Sequence, residues 1–228
     1  MSLVTIKALH KSYGNKKVLQ NINLSFERGM VSGVVGENGA GKTTLFNCLS
    51  GMESYDGAIQ LGESLNNDSI GFLPTTPFML SKITGLEYLQ LLCNAREVDS
   101  SQLIEKNIFE LPLNEYADLY STGMKKKLAI TALLLQKNEI FLLDEPFNGL
   151  DLSSNIMLKA IIEKLKSLNK VVIISSHIFS ALTEVCDQMH YLNAGLVEAS
   201  VGQAAFSTIE AKMTNTGLKK RIDDLGLE

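Results

Sequence analysis

The stretch Gly36-Glu37-Asn38-Gly39-Ala40-Gly41-Lys42-Thr43 has residue types and a spacing suited to holding phosphate. It matches the P-loop pattern. Glycines let successive backbone N–H groups converge on an anion, and a helix opening after the loop adds its partial positive charge. Gly36, Asn38, Gly39 and Gly41 are therefore candidates for the cradle, with Thr44 in the turn that follows. Lys42 is placed to reach β- and γ-phosphates, and Thr43 to meet a magnesium ion. A second set ends the apolar run Ile140-Phe141-Leu142-Leu143. Asp144 can face the metal, and Glu145 is a carboxylate positioned to act as general base. Ser175-Ser176-His177 closes another apolar run, where His177 could touch a γ-phosphate.

Such groups need a strand ahead of the loop and a helix behind it. Val31–Val35 is an apolar run fit for a buried strand, and 44–49 continues as a helix. Period-2 alternation at 3–9 and 18–27 predicts antiparallel strands with one wet face. Short strands follow at 58–61 and 70–73, separated by a polar turn at 62–69, and Pro74 and Pro77 end that pattern. Thr84-Gly85-Leu86-Glu87 is a capping box that opens a helix with Leu86, Leu89, Leu92 and Cys93 on one face. It begins a helical insertion running to about residue 136. Buried strands are predicted at 139–144 and 171–176. An amphipathic helix at 153–168 turns Leu158, Ile161, Ile162, Leu165 and Leu168 inward, and another aligns Leu182, Val185, Cys186 and Met189. A hairpin is expected around Asn193-Ala194-Gly195 and a short helix at 206–213. Residues 201–228 are more polar and read as a mobile terminus, with a cap on a dimer as the alternative.

Composition narrows the function. The chain has 228 residues, 45% hydrophobic and 20% charged, with a net charge of −4. One soluble domain with an insertion is the simplest division, and no global positive field draws it to nucleic acid. No apolar run approaches the roughly eighteen residues of a spanning helix. Met1–Lys7 alternates like a strand and lacks the features of an export signal, so a cytosolic location is expected. Cys48, Cys93 and Cys186 show no paired ligand spacing and read as small core residues. Lys125-Lys126-Lys127 reads as a solvated basic face.

Together these motifs resemble the ATP-binding cassette (ABC) family, the nucleotide-hydrolysing subunits of ABC transporters, over roughly residues 3–200. The resemblance implies an α/β fold with a P-loop NTPase (RecA-like) core, an antiparallel β subdomain and an inserted α-helical subdomain. Residues 1–76 and 137–200 would form the core with the β subdomain, 77–136 the helical subdomain, and 201–228 a tail. Tyr13 resembles the aromatic that stacks on adenine. Tyr120-Ser121-Thr122-Gly123-Met124 stands where the family has its LSGGQ signature, with Ser121 and Gly123 retained and Met124 at the last position. Asp144 and Glu145 match the Walker B aspartate and catalytic glutamate. Asn148, Gly149 and Asp151 match the D-loop, and His177 the switch histidine. By resemblance, ATP and Mg2+ are the cofactors, and two subunits sandwich two ATP molecules, each closed by the partner's signature.

Two departures carry consequences. Thr75 stands where the family has a glutamine, and its shorter side chain predicts weaker engagement of the magnesium, with Thr75 itself a further metal candidate. The insertion is also short. Its apolar residues Phe78, Met79, Leu80 and Ile83 are candidates for contact with a membrane subunit. The leading expectation is an ATPase subunit that powers a separate transmembrane permease, as an exporter-type homodimer on the cytoplasmic face of the membrane. The alternatives are a soluble ABC ATPase on a cytosolic machine and a weakly catalytic half of a heterodimer.

Overall fold

Alternation along the first segment folds it into two long strands, β1 (Ser2–Tyr13) and β2 (Lys16–Glu27), paired antiparallel. Ile22, Leu24 and Phe26 face inward, while Asn23, Ser25 and Glu27 face water. The computed structural model describes residues 2–63 and 65–214. β3 (Met30–Val35) leaves this sheet and runs into the glycine loop and α1 (Lys42–Leu49); β4 (Asp56–Leu61) then returns to the free edge of β1. β5 (Ile70–Leu73), α2 (Gly85–Asn94), α3 (Thr122–Leu135) and β6 (Ile140–Asp144) follow. The chain continues with α4 (Leu152–Ser167), β7 (Val171–Ser176), α5 (Phe179–Thr183), β8 (Gln188–Asn193), β9 (Leu196–Gly202) and α6 (Phe206–Thr214).

The second sheet has the order β5-β6-β7-β3-β8-β9, parallel except for β9. Its strands β3, β5, β6 and β7 are buried on both faces, which is why they read as unbroken apolar runs, whereas β9 alternates between exposed and half-buried residues. Val172 and Ile174 of β7 join Phe141 and Leu143 of β6 in a core covered by α2, α3, α4, α5 and α6. Val171, Ile173, Ile140 and Leu142 point to the other face, onto α1 and the inner side of β1 and β2. Helix α1 thus lies between the two sheets, and the loop before it is gripped from both.

Several expectations change. The insertion is not helical throughout: the segment between α2 and α3 runs in turns and one short 3₁₀ turn at Ala117–Leu119. Glu97 and Glu110 adopt positive φ, and the Asn107 side chain bonds both the N–H and the carbonyl of Leu111. Those side-chain bonds compete with a helical ladder, and Pro112 cannot donate to one. Leu168 is exposed, because α4 ends at Ser167 and Leu168 is its C-cap. The helix predicted through Met189 stops at Thr183; Leu182, Val185, Cys186 and Met189 are all buried, but Met189 is in β8. Phe206 and Ile209 are buried in the main core, so α6 is docked rather than free. The rest of the predicted tail, 215–228, lies outside the described residues. Capping at α2 is as expected, with Thr84 and Glu87 bonding each other's backbone N–H. All three cysteines are free and buried, and burial pushes the Cys48 thiol up to about 11.

One contact outside the loop holds it in place and another ties the far end of the sheet, and each yields a prediction. The β8–β9 hairpin turns at Ala194 and Gly195, both at positive φ, as a two-residue turn of this twist requires. Gly195 donates to Ala40 of the glycine loop and accepts from Gln20 of β2, and a Cβ on it would lie 2.2 Å from the Val18 carbonyl. Gly195→Ala is expected to cost about 1–3 kcal/mol in urea unfolding; a neutral result would show that the backbone yields there. At the other end of the sheet, Glu139 accepts from Lys170 and Arg28, which hold its carboxyl below the usual range. A depressed folded pKa contributes stability above the unfolded value, about 4.3, and loses it as pH falls through the folded one. Glu139→Gln should therefore be less stable than the native chain at pH 7, with the gap closing below about pH 4. A gap constant across that range would refute the assignment.

Candidate functional site

The ends of β3, β6 and β7 meet at one place, since parallel strands bring their carboxyl ends to the same edge of the sheet. β3 delivers the glycine loop, β6 delivers Asp144 and Glu145, and β7 delivers Ser175, Ser176 and His177. A cavity of about 540 Å3 opens there. Tyr13, Asn38, Gly39, Gly41, Lys42, Thr43, Thr44, Thr75, Glu145 and His177 all line it. The structure thus gathers these sequence candidates around a single space.

Within the loop, Gly41 sits at φ 111 as the N-cap of α1, a conformation that a side chain would strain. Lys42 is 6% exposed and donates to the carbonyls of Gly36 and Glu37 at 2.8 and 3.1 Å. Burial pushes its ammonium below the usual value, against the Glu145 and Asp144 carboxylates, which favour the charge. Phosphate oxygens in the cavity would supply the counter-charge that burial denies it.

Asp144 is fully buried and none of its oxygens is idle. Thr43 and Thr75 hydroxyls donate to Oδ2 at 2.8 and 2.6 Å, and the Ser175 hydroxyl donates to Oδ1. Thr75 does reach the site, through Asp144, because β5 pairs in register beside β6. Two hydroxyls and one carboxylate are hard oxygen donors of the kind magnesium takes, with positions left for water and phosphate. The donor set therefore fits that ion.

Glu145 is 7% exposed and adopts φ 50. Its Oε1 accepts from the His177 backbone N–H at 2.8 Å, lies 2.8 Å from His177 Nδ1 and 3.8 Å from Lys42 Nζ. Its Oε2 accepts from Asn148 Nδ2 at 3.2 Å and from the Ser176 hydroxyl at 3.3 Å. A carboxylate held this way, beside a half-buried histidine at the cavity wall, can orient a water and take its proton.

Ser121, Gly123, Met124, Gly149 and Asp151 do not line the cavity. Ser121 is the N-cap of α3 and accepts from the Met124 N–H at 3.2 Å. The Met124 side chain packs against the core. Asp151 caps α4 through Ser154 and pairs with Lys127 at 2.6 Å. Lys126, read as part of a solvated face, is 1% exposed and donates to two backbone carbonyls of the 145–148 segment. Of the apolar insertion residues, Phe78 and Leu80 are exposed and Ile83 half-buried, whereas Met79 belongs to the core. Sequence reasoning missed Lys16 and Val18 in the cavity wall and the Ser175 hydroxyl on Asp144. Ser175 was legible in principle as a polar residue ending an apolar strand; Lys16 and Val18 carried no signal.

A family model described as ABC transporter matches residues 19–148, more than half of the chain. The bacitracin transport ATP-binding protein BcrA of Enterococcus faecalis is 33% identical over 86% of this chain and 68% of its own length. The cytochrome c biogenesis ATP-binding export protein CcmA of Reclinomonas americana is 33% identical over 76% of this chain and 84% of its own. Among solved structures, an ATP-binding subunit of an ABC transporter is similar in fold, with a TM-score of 0.84 at 24% identity, over 94% of this chain and 100% of that one.

Thr75 gives the test specific to this site. Thr75→Gln is expected to lower the magnesium concentration for half-maximal ATP hydrolysis, by about tenfold if the longer amide reaches the ion. The measurement is a magnesium titration of phosphate release, and unchanged magnesium dependence and rate would end the idea that Thr75 limits the site.

Proposed function

The chain belongs to the ABC transporter family as an ATP-binding, ATP-hydrolysing subunit, and we propose that it powers transport, of export type, through a separate membrane-spanning polypeptide. The observation that carries the reading is the constellation around Glu145: a buried carboxylate bonded to His177, 3.8 Å from Lys42 and next in sequence to Asp144. ATP would lie with its phosphates on the glycine loop and its base against Tyr13, which is 45% exposed at the cavity mouth. Lys42 neutralises phosphate charge, Glu145 orients the attacking water and accepts its proton, and His177 holds the γ-phosphate. Magnesium, when bound by Thr43 and Asp144, offsets the charge that develops on the phosphate oxygens. Hydrolysis is thus mainly a matter of positioning.

The signature residues Ser121 and Gly123 lie away from the chain's own cavity, which supports a second ATPase subunit, a homodimer on ATP binding, whose ATP they would close. No helix among the described residues is long and apolar enough to cross a membrane. A groove of about 510 Å3 between the insertion and the core, lined by Met52, Phe72, Phe78, Tyr88 and Leu92, suits a short helix of the permease. Phe78 is 77% exposed at its edge. That docking would place the subunit on the cytoplasmic face of the membrane. The relative named as an export protein supports the direction.

Glu145→Gln is expected to cut phosphate release by about a hundredfold or more while ATP still binds. A tagged Glu145→Gln chain, purified from detergent-solubilised host membranes with ATP and magnesium, should carry an integral membrane protein with it. Recovery of ribosomal or other soluble proteins alone would favour a soluble ABC ATPase instead.

A further inference from the structure

Lys126 is a buried cation with a defined task. Its side chain is 1% exposed, and its Nζ donates to the carbonyls of Glu145 and Asn148, each at 2.8 Å. Glu145 is a non-glycine residue at φ 50, a backbone state that persists only where its surroundings over-determine it. Two clamps do so. On one side its N–H donates to the Ser175 carbonyl and hydroxyl at 3.2 and 3.1 Å; on the other its carbonyl accepts from Lys126 at 2.8 Å and, less closely, from the Asn148 N–H at 3.3 Å. The carboxylate leaves from the same Cα, so the orientation of this backbone sets where Oε1 meets His177.

The helix that carries Lys126 is the one that begins at Ser121. It touches the 145–151 segment at three successive points. A Cβ on Gly123 would lie 2.7 Å from the Gly149 carbonyl, Lys126 bonds Glu145 and Asn148, and Lys127 pairs with Asp151. Only the middle contact reaches the residue that bears the catalytic carboxylate. An apolar side chain of similar length would fill the same space without desolvating an ammonium, so packing alone does not explain a lysine here.

We propose that Lys126 is a positioning residue: it fixes the Glu145 backbone to the first turns of α3, so that seating Ser121 and Gly123 on a partner's ATP also sets Glu145 in the chain's own site. This rests on the dimeric ATPase reading above. Coupling follows from contiguous contacts through one rigid helix. Loss of Lys126 should then harm turnover rather than nucleotide affinity.

The test is steady-state ATP hydrolysis by the purified chain, with Lys126→Met and Lys126→Arg beside the native protein, and binding of a fluorescent ATP analogue to each. Lys126→Met is expected to lower kcat by roughly tenfold or more, with KM and analogue affinity within about twofold of native. Lys126→Arg should recover most of the rate, since a guanidinium can donate to two carbonyls at once. A purely structural residue would instead lower the folding midpoint and change apparent kcat in step with the fraction of chain that binds the analogue. Should Lys126→Met not fold, Lys126→Gln, one bond shorter, is expected to lose at least about threefold in kcat at native KM. A native kcat in the folded Met or Gln variant, or a rise in KM alone, overturns the proposal. Absence of any phosphate release from the native chain would defeat the ATPase reading itself, a separate failure.

Discussion

Lys42, Asp144 and Glu145 are nearly buried beside one another, and the rest of the structure is arranged so that none of these charges is left uncompensated. The compensation comes from backbone and hydroxyl groups more than from ion pairing. Lys42 leans on two loop carbonyls, Asp144 collects three hydroxyls, and Glu145 draws on a backbone N–H, an amide, a hydroxyl and the His177 ring. Those partners come from four separate segments. The parallel sheet is what makes their convergence possible, because the registers β3 to β7 and β6 to β7 put Val35, Asp144 and Ser176 at one edge. Cores on both faces of that sheet then keep the strands from sliding.

What was legible in the sequence follows from this division. The glycine loop, the acids after β6 and the histidine after β7 are local patterns, each written next to the apolar strand that places it. The period-2 strands of the first sheet and the capping box at Thr84 were equally local. The errors fell where apolar side chains are buried without a repeating element. Leu182 to Met189 kept a helical spacing of buried residues across a helix end, a turn and a strand start, so burial was right and the element was wrong. Between α2 and α3, Leu103, Leu111 and Leu113 are buried anchors on a chain held in turns by its own side chains. Lys16 and Val18 join the cavity only because the β1–β2 sheet packs beside the loop, a tertiary fact with no mark in the sequence.

Thr75 shows how a single substitution in a family pattern acts through geometry. A glutamine would present its amide at the end of two methylenes, whereas Thr75 presents a hydroxyl close to the backbone. Its place beside Asp144 follows from the pairing of Leu73, two residues before it, with Leu143, one residue before Asp144. The hydroxyl therefore donates to the same Oδ2 as Thr43 and does not extend the oxygen set beyond it. It belongs to the chain that leads into the insertion, so the link between insertion and metal set is kept, but shortened.

The basic opening of α3 looks unfavourable at first, since cations near a helix N-terminus oppose its dipole. The contacts of Lys126 and Lys127 remove most of the conflict. Lys126 is turned back onto carbonyls of the 145–148 segment, and Lys127 onto the Asp151 carboxylate, which is itself held at the start of α4. Asp151 is thereby kept well below the usual carboxylate range, first by Lys127 and then by the Ser154 backbone. No acidic side chain occupies the first turn of α3. The partial positive charge at this end of α3 is thus not offset by any acid of that turn. An arrangement that would weaken an isolated helix favours an anion brought to that surface from outside.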